Sequence, residues 1–202
     1  MATVAITPDQ DIVEAEIFIA APPERVFEAI TDPSQTAQWW GQQGMYRITE
    51  KLSDLRPGGT WSSVGVGADG TSFRVEGEYL EVDPPRLLVH TWVKSWQGPS
   101  TTIVRWELEP REVHGLQAHG PRRTGTGTVV KIRHSGFAGN AKSAADHGQG
   151  WKRVLGWMQA YVEQGETIDS RPVIASPPCR KRPEVQIPLA CLRGMAFSAT
   201  VY

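Results

Sequence analysis

The sequence predicts an α+β fold in which a curved antiparallel sheet wraps around one long C-terminal helix. Three observations carry that expectation. Residues 45–135 hold a succession of strand-like runs separated by turn signatures. Residues 139–164 hold the one long helical pattern, apolar on one side and polar on the other. The composition, 40% hydrophobic and 21% charged over 202 residues, suits one domain with a core of ordinary size. A sheet of this size must bury one face, and the long helix carries a matching apolar stripe. Between a curved sheet and a helix there is space for side chains or for a small molecule.

The elements follow in order. Residues 12–20 alternate as a strand. Ala21-Pro22-Pro23-Glu24 opens a helix, with proline in the first turn and Glu24 near the positive end of the dipole. Val26, Phe27 and Ile30 share one face, and Asp32-Pro33 stops the helix. A second short helix over 33–39 ends in Trp39-Trp40-Gly41. Strands are expected at 45–55, 60–67, 72–82, 86–94, 101–109 and 126–135. Their separators include Pro57-Gly58-Gly59, Ala68-Asp69-Gly70, Asp83-Pro84-Pro85 and Gln97-Gly98-Pro99, and Asp69-Gly70 is a strong hairpin signal. Consecutive strands with such turns make an antiparallel meander. Residues 110–125, with His114, His119, Arg122 and Arg123, read as an extended, mobile hairpin loop. In the long helix Trp151, Leu155, Met158 and Val162 recur at helical spacing, and Gly165 stands where a C-cap glycine belongs. The domain is expected to span 1–165. Residues 166–202, Pro-rich and holding Cys179 and Cys191, are expected to form a flexible tail.

Charge and motifs exclude several functions. Net charge is −1, from 21 basic and 22 acidic residues, without the basic excess of a nucleic-acid binder. No apolar run is long enough for a membrane span, and the N-terminus lacks the apolar region of a secretory signal. Two late cysteines cannot staple the remaining chain, which fits a reducing, cytoplasmic compartment. There is no GxSxG, no GxxxxGK[ST], no HExxH or HxxxH and no CxxC. No cofactor and no metal is therefore expected.

Six segments in order make the chain resemble a known family: APPERVFEAITDPSQTAQWWG (21–41), DLRPGGTW (54–61), GEYLEVDPPRLLVHTW (77–92), VRWELEP (104–110), HSGF (134–137) and HGQGWKRVLGWMQAYVEQG (147–165). They resemble the AHSA-like (activator of Hsp-90 ATPase homologue) family of the SRPBCC or START-like superfamily, over about residues 12–165. The resemblance implies the helix-grip fold and a cavity under the C-terminal helix. It also implies lipid-like, aromatic or polyketide-like ligands, with no fixed catalytic set. Two regions depart from the family pattern: the long 110–125 loop and the tail. Eukaryotic activators of the chaperone carry a separate N-terminal domain, for which this chain leaves no room before its first strand.

Strand parity supplies the candidate site. Val104, Trp106 and Leu108 share a face, as do Thr128, Val130, Ile132 and His134. Both rows are expected to face the stripe of Trp151, Leu155 and Met158. The preferred reading is a protein that binds a small hydrophobic or aromatic molecule without covalent chemistry. Trp40, Trp61, Val104, Trp106, Val130, Ile132, His134, Trp151, Leu155 and Met158 would form the pocket. A core filled by these same side chains is the alternative. His134 could contact a ligand, act as a general base, or serve as a structural histidine. A second reading is a superfamily enzyme of the cyclase, aromatase or hydrolase kind, which needs a buried acid–base pair; Glu76, Glu78 and His134 are its candidates. A third is a co-chaperone-like interaction protein, with an exposed patch at Trp39 and Trp40 or a tail that folds on its partner.

Overall fold

Local chemistry sets the element boundaries. In the computed structural model, which describes residues 1–95, 100–114 and 124–173, the chain runs β1 (Thr3–Ile6), β2 (Ile12–Ile19), α1 (Pro23–Thr31), α2 (Pro33–Trp39), β3 (Gly41–Gln42), β4 (Tyr46–Ser53), β5 (Thr60–Gly67), β6 (Ser72–Asp83), β7 (Leu87–Lys94), β8 (Thr101–His114), β9 (Thr124–Ser135) and α3 (Ala141–Gln164). Prolines occupy the first turns of α1 and α2, where no intrahelical N–H bond is lost. Asp32 ends α1 and caps α2, its carboxylate accepting from the Ser34 N–H at 2.8 Å. Asn140 caps α3 through the Ser143 N–H at 3.0 Å, and Gly165 closes it with a φ of 73°.

The nine strands form one antiparallel sheet in the order β1-β2-β9-β8-β7-β6-β5-β4-β3. From β3 to β9 every strand pairs with its successor, and β2 closes back on β9. This is the expected α+β helix-grip architecture, with the sheet curved around α3. Two bulges, between Ile48 and Glu50 in β4 and between Tyr79 and Glu81 in β6, bend the strands and help to curve the sheet. The expected hairpin at Asp69-Gly70 is present: Gly70 has a φ of 83°, and Asp69 Oδ1 accepts from the Thr71 N–H at 2.9 Å.

Three features differ from expectation. Short β1 and β3 were not foreseen; each lies at an edge of the sheet, β1 is mostly exposed, and β3 is only two residues long. The β8–β9 ladder runs on to His114 and Thr124, so both ends of the expected 110–125 loop are strand. Pro110 and the glycines of Thr124-Gly125-Thr126-Gly127 look like loop chemistry, yet Pro110 sits opposite Thr128 inside the ladder. The Phe18 ring covers Gly127, filling the space a side chain would take. His119, Arg122 and Arg123 lie outside the described residues.

Residues 166–173, read from sequence as the start of the tail, pack on the domain. The Ile168 N–H bonds to Gln38 O at 2.8 Å, and both Ile168 and Arg171 are buried. The Arg171 guanidinium donates to the carbonyls of Trp39, Gly41 and Trp157 at 2.8–3.0 Å, tying α2, β3 and α3 together. The rest of the tail, with Cys179 and Cys191, lies outside the described residues. The core fills the space between the concave face of the sheet and the three helices.

Candidate functional site

Helix α3 packs against β1 and β2. Over that side of the sheet the inward side chains are fully enclosed. Over β4–β7 the helix stands off, and a cavity of about 780 Å³ remains. Its inner wall carries buried Trp61, Val75, Tyr79, Leu88, His90, Trp106 and Trp151, and its rim carries exposed Asp69, Thr71, Lys142 and Asp146.

This geometry divides the sequence-based site. Trp40, Trp61, Trp106 and Trp151 stand on the cavity wall. Val104, Val130, Ile132, His134, Leu155 and Met158 are at most 2% exposed and lie outside the lining, in the packed region under α3. Row parity was right for all of these residues, which do face inward. Parity alone says nothing about where along the sheet the helix makes contact and where it stands away.

The wall also holds residues that sequence reasoning did not single out: Tyr46, Lys51, Phe73, Tyr79, His90 and Trp92. His90 and Trp92 sit two apart on β7 with Leu88 and Lys94, so alternation could have found them. Lys51 is different. The bulge at Thr49 shifts β4 by one residue, so that Ile48 pairs with Gly65 and Lys51 with Ser63. Strict alternation from Ile48 would have sent Lys51 to solvent.

The indole rings form one cluster. Trp40 lies 6.1 Å from both Trp92 and Trp151 between ring centroids, and Trp106 meets Trp151 edge-on at 5.2 Å. Trp61 and Trp92 approach to 5.3 Å. Such stacked, tilted and edge-on contacts suit the ring quadrupoles. Trp39, by contrast, is wholly buried and donates its indole N–H to Ala29 O at 2.9 Å. Trp40 is half-buried within the cluster. The exposed Trp39–Trp40 contact patch allowed for in the sequence reading is therefore not present. Trp96 lies outside the described residues.

Two histidines accept from two indoles. Trp151 Nε1 donates to His134 Nδ1 at 3.0 Å, and His134 Nε2 meets Thr102 Oγ1 at 2.7 Å. Trp106 Nε1 donates to His90 Nε2 at 3.3 Å, and His90 Nδ1 meets Thr91 O at 3.0 Å. An indole only donates, so each accepting nitrogen is unprotonated and each ring is neutral. Burial holds both below the usual histidine range: His90 at about 4, and His134 well below 6.5 with His147 adding repulsion. His134 is thus a satisfied structural histidine. Glu76 and Glu78 lie on the exposed face of β6, Glu76 bound to Arg74 at 2.7 Å. The buried acid–base pair that the enzyme reading needs is not formed by these three residues.

Lys51 extends its ammonium along the wall. Nζ donates to Thr36 Oγ1 at 3.3 Å and Ile30 O at 3.4 Å, and lies 5.9 Å from the Trp40 ring centroid. Burial lowers its pKa to about 8, against the opposing pull of Asp32. Burial also raises the Tyr46 hydroxyl to about 12. Among the described residues, the buried indole N–H groups of Trp61 and Trp92 have no acceptor. No cluster of three or more His, Cys, Asp or Glu that could hold a metal occurs among the described residues. No described helix is long and apolar enough to cross a membrane.

Comparisons with known proteins agree with this architecture. The family model described as activator of Hsp90 ATPase homolog 1-like protein matches residues 20–117. No curated protein matches the chain. Among solved structures, protein CV1439 from Chromobacterium violaceum is 24% identical, covers 76% of this chain and 97% of its own, and superposes with a TM-score of 0.57. Protein Ms6760 from Mycobacterium smegmatis is 19% identical over 81% of this chain and 98% of its own, with a TM-score of 0.64. DynU16, a protein of the dynemicin biosynthetic locus, is 23% identical over 80% of this chain and 50% of its own, with a TM-score of 0.58. At these identities the structures share the fold. The family match and the shared fold agree with the resemblance to the AHSA-like family that the sequence carries.

Proposed function

We propose that this protein binds a small aromatic or largely apolar molecule, non-covalently, in the cavity between α3 and strands β4–β7. The carrying observation is the cavity of about 780 Å³ with tryptophan on several sides, a size typical of small-molecule sites. Trp40, Trp61, Trp92, Trp106 and Trp151 would contact the ligand, while Val104, Val130, Ile132, His134, Leu155 and Met158 would hold the wall from behind. The hydrogen bonds from Trp106 to His90 and from Trp151 to His134 fix two of these indoles, so little rotamer freedom remains to be lost on binding. The family match over residues 20–117 and a structural neighbour from a biosynthetic locus support the same reading. We place the protein in the cytoplasm on its cysteine usage. Intrinsic tryptophan fluorescence, titrated with a panel of lipids, flavonoids and polyketides, tests the reading. A saturable shift with at least one class is expected; no shift with any of them would overturn it.

A further inference from the structure

We infer that the ligand is an aromatic carboxylate whose negative group docks on Lys51, in the wall of the cavity. This rests on the binding reading above and names the chemistry of its ligand. Lys51 lines the cavity beside Trp40, and its ammonium has only two neutral acceptors, both at long distance. Among the described residues no carboxylate lies within ion-pair distance of it. Asp32 acts on it only from farther off, and that carboxylate is already taken by the Ser34 N–H, the Ser34 hydroxyl and Gln35. Thr36 Oγ1 donates to Asp32 O at 2.9 Å, so it presents a lone pair to Lys51 and holds the amine in place.

The cavity as a whole is also cationic. Lys51, Lys94, Lys142 and Arg153 line it against two carboxylates, Asp69 and Asp146, in a chain whose net charge is −1. Asp146 is engaged by Lys142 at 2.9 Å, and Asp69 turns back on its own hairpin. A cation held in an apolar wall without a counter-ion is costly. A ligand carboxylate, ionised at neutral pH, would supply the missing counter-ion and a charge-assisted hydrogen bond, while its rings would fill the indole-lined space. The amine pKa of about 8 keeps it mostly protonated at neutral pH, and a bound anion would raise it.

The test compares 2-naphthoate with 2-naphthamide, a neutral probe of the same shape, by calorimetry on the full chain. Wild type is expected to bind the carboxylate about ten-fold or more tightly than the amide, the scale of one charge-assisted hydrogen bond. Lys51→Met should abolish that preference while keeping affinity for the amide, and Lys51→Gln reads the same outcome if the methionine variant does not fold. Lys152→Met, exposed on α3 and outside the cavity lining, should leave the preference intact. Equal binding of both probes by wild type, or a preference that survives loss of Lys51, overturns the anion site and leaves the cavity reading standing. Failure of both probes to bind overturns the anion site, and a fluorescence panel equally silent would overturn the cavity reading with it.

Discussion

Acidifying the medium from about pH 7.5 to about pH 4.5 should destabilise the protein, and the structure says by how much and why. His90 titrates near 4 in the folded chain and near 6.5 when free, because burial disfavours its charged form. Between those values the unfolded chain binds a proton that the folded chain refuses. Stability is therefore full above about 6.5 and falls as the pH drops toward 4. At about 1.4 kcal/mol per pH unit, His90 alone costs on the order of 3 kcal/mol across the window. His134 is shifted in the same direction and adds to the loss. Asp9, Asp32, Asp69 and Asp146 sit below their ordinary 3.8, so their contributions are lost only at still lower pH. The loss between 6.5 and 4 thus reports mainly the histidines. Urea unfolding, followed by fluorescence at several pH values, is the assay. The midpoint should fall steadily below about pH 6.5 with an unchanged slope against urea. A midpoint that stays constant down to about pH 4.5 would refute the neutral, buried assignment of both rings.

Three further outcomes follow from named contacts. Arg171→Met should destabilise by about 2–4 kcal/mol in thermal or urea unfolding, because it strips donors from buried carbonyls on three elements; a change within about 0.5 kcal/mol would mean that residues 166–173 do not hold the domain together. Gly77→Ala should cost about 3 kcal/mol or more, since its Cβ would lie 2.0 Å from Thr91 O, whereas Gly156→Ala in α3, with nothing within 4 Å, should stabilise by about 0.5–1 kcal/mol. Trp106→Phe should cost roughly 1–3 kcal/mol by leaving His90 Nε2 without its donor, and should raise the His90 pKa as measured by NMR titration; an unmoved titration would show that the Trp106 bond does not matter to that ring.

Much of this architecture was legible before the coordinates. Proline at the helix starts, Asp69-Gly70 at the hairpin and Gly165 at the end of α3 each reflect a local backbone requirement, and each was found where expected. Inward-facing rows on β8 and β9 were equally plain, because alternation needs only a period of two. The cavity was harder. Its position depends on where α3 touches the sheet, and nothing local to Val130 or Leu155 distinguishes a filled site from an open one. Lys51 was hidden for another reason: one extra residue at Thr49 reverses the parity of half a strand, and the bulge leaves no clear mark in YRITEKLS. His90 stands on an alternating row with Leu88, Trp92 and Lys94, but its partner Trp106 is sixteen residues away, so nothing local marks the bond between them.

The most direct measurement is the indole N–H region of a ¹⁵N-labelled NMR spectrum during titration with 2-naphthoate. Five indoles, of Trp40, Trp61, Trp92, Trp106 and Trp151, line the cavity, while Trp39 and Trp157 do not. Binding in the cavity predicts saturable shifts concentrated in those five, with Trp39 and Trp157 nearly still. Shifts led by Trp39 or Trp157, or none at all with this probe and with every other ligand class tried, would contradict the placement of a ligand site between α3 and the sheet.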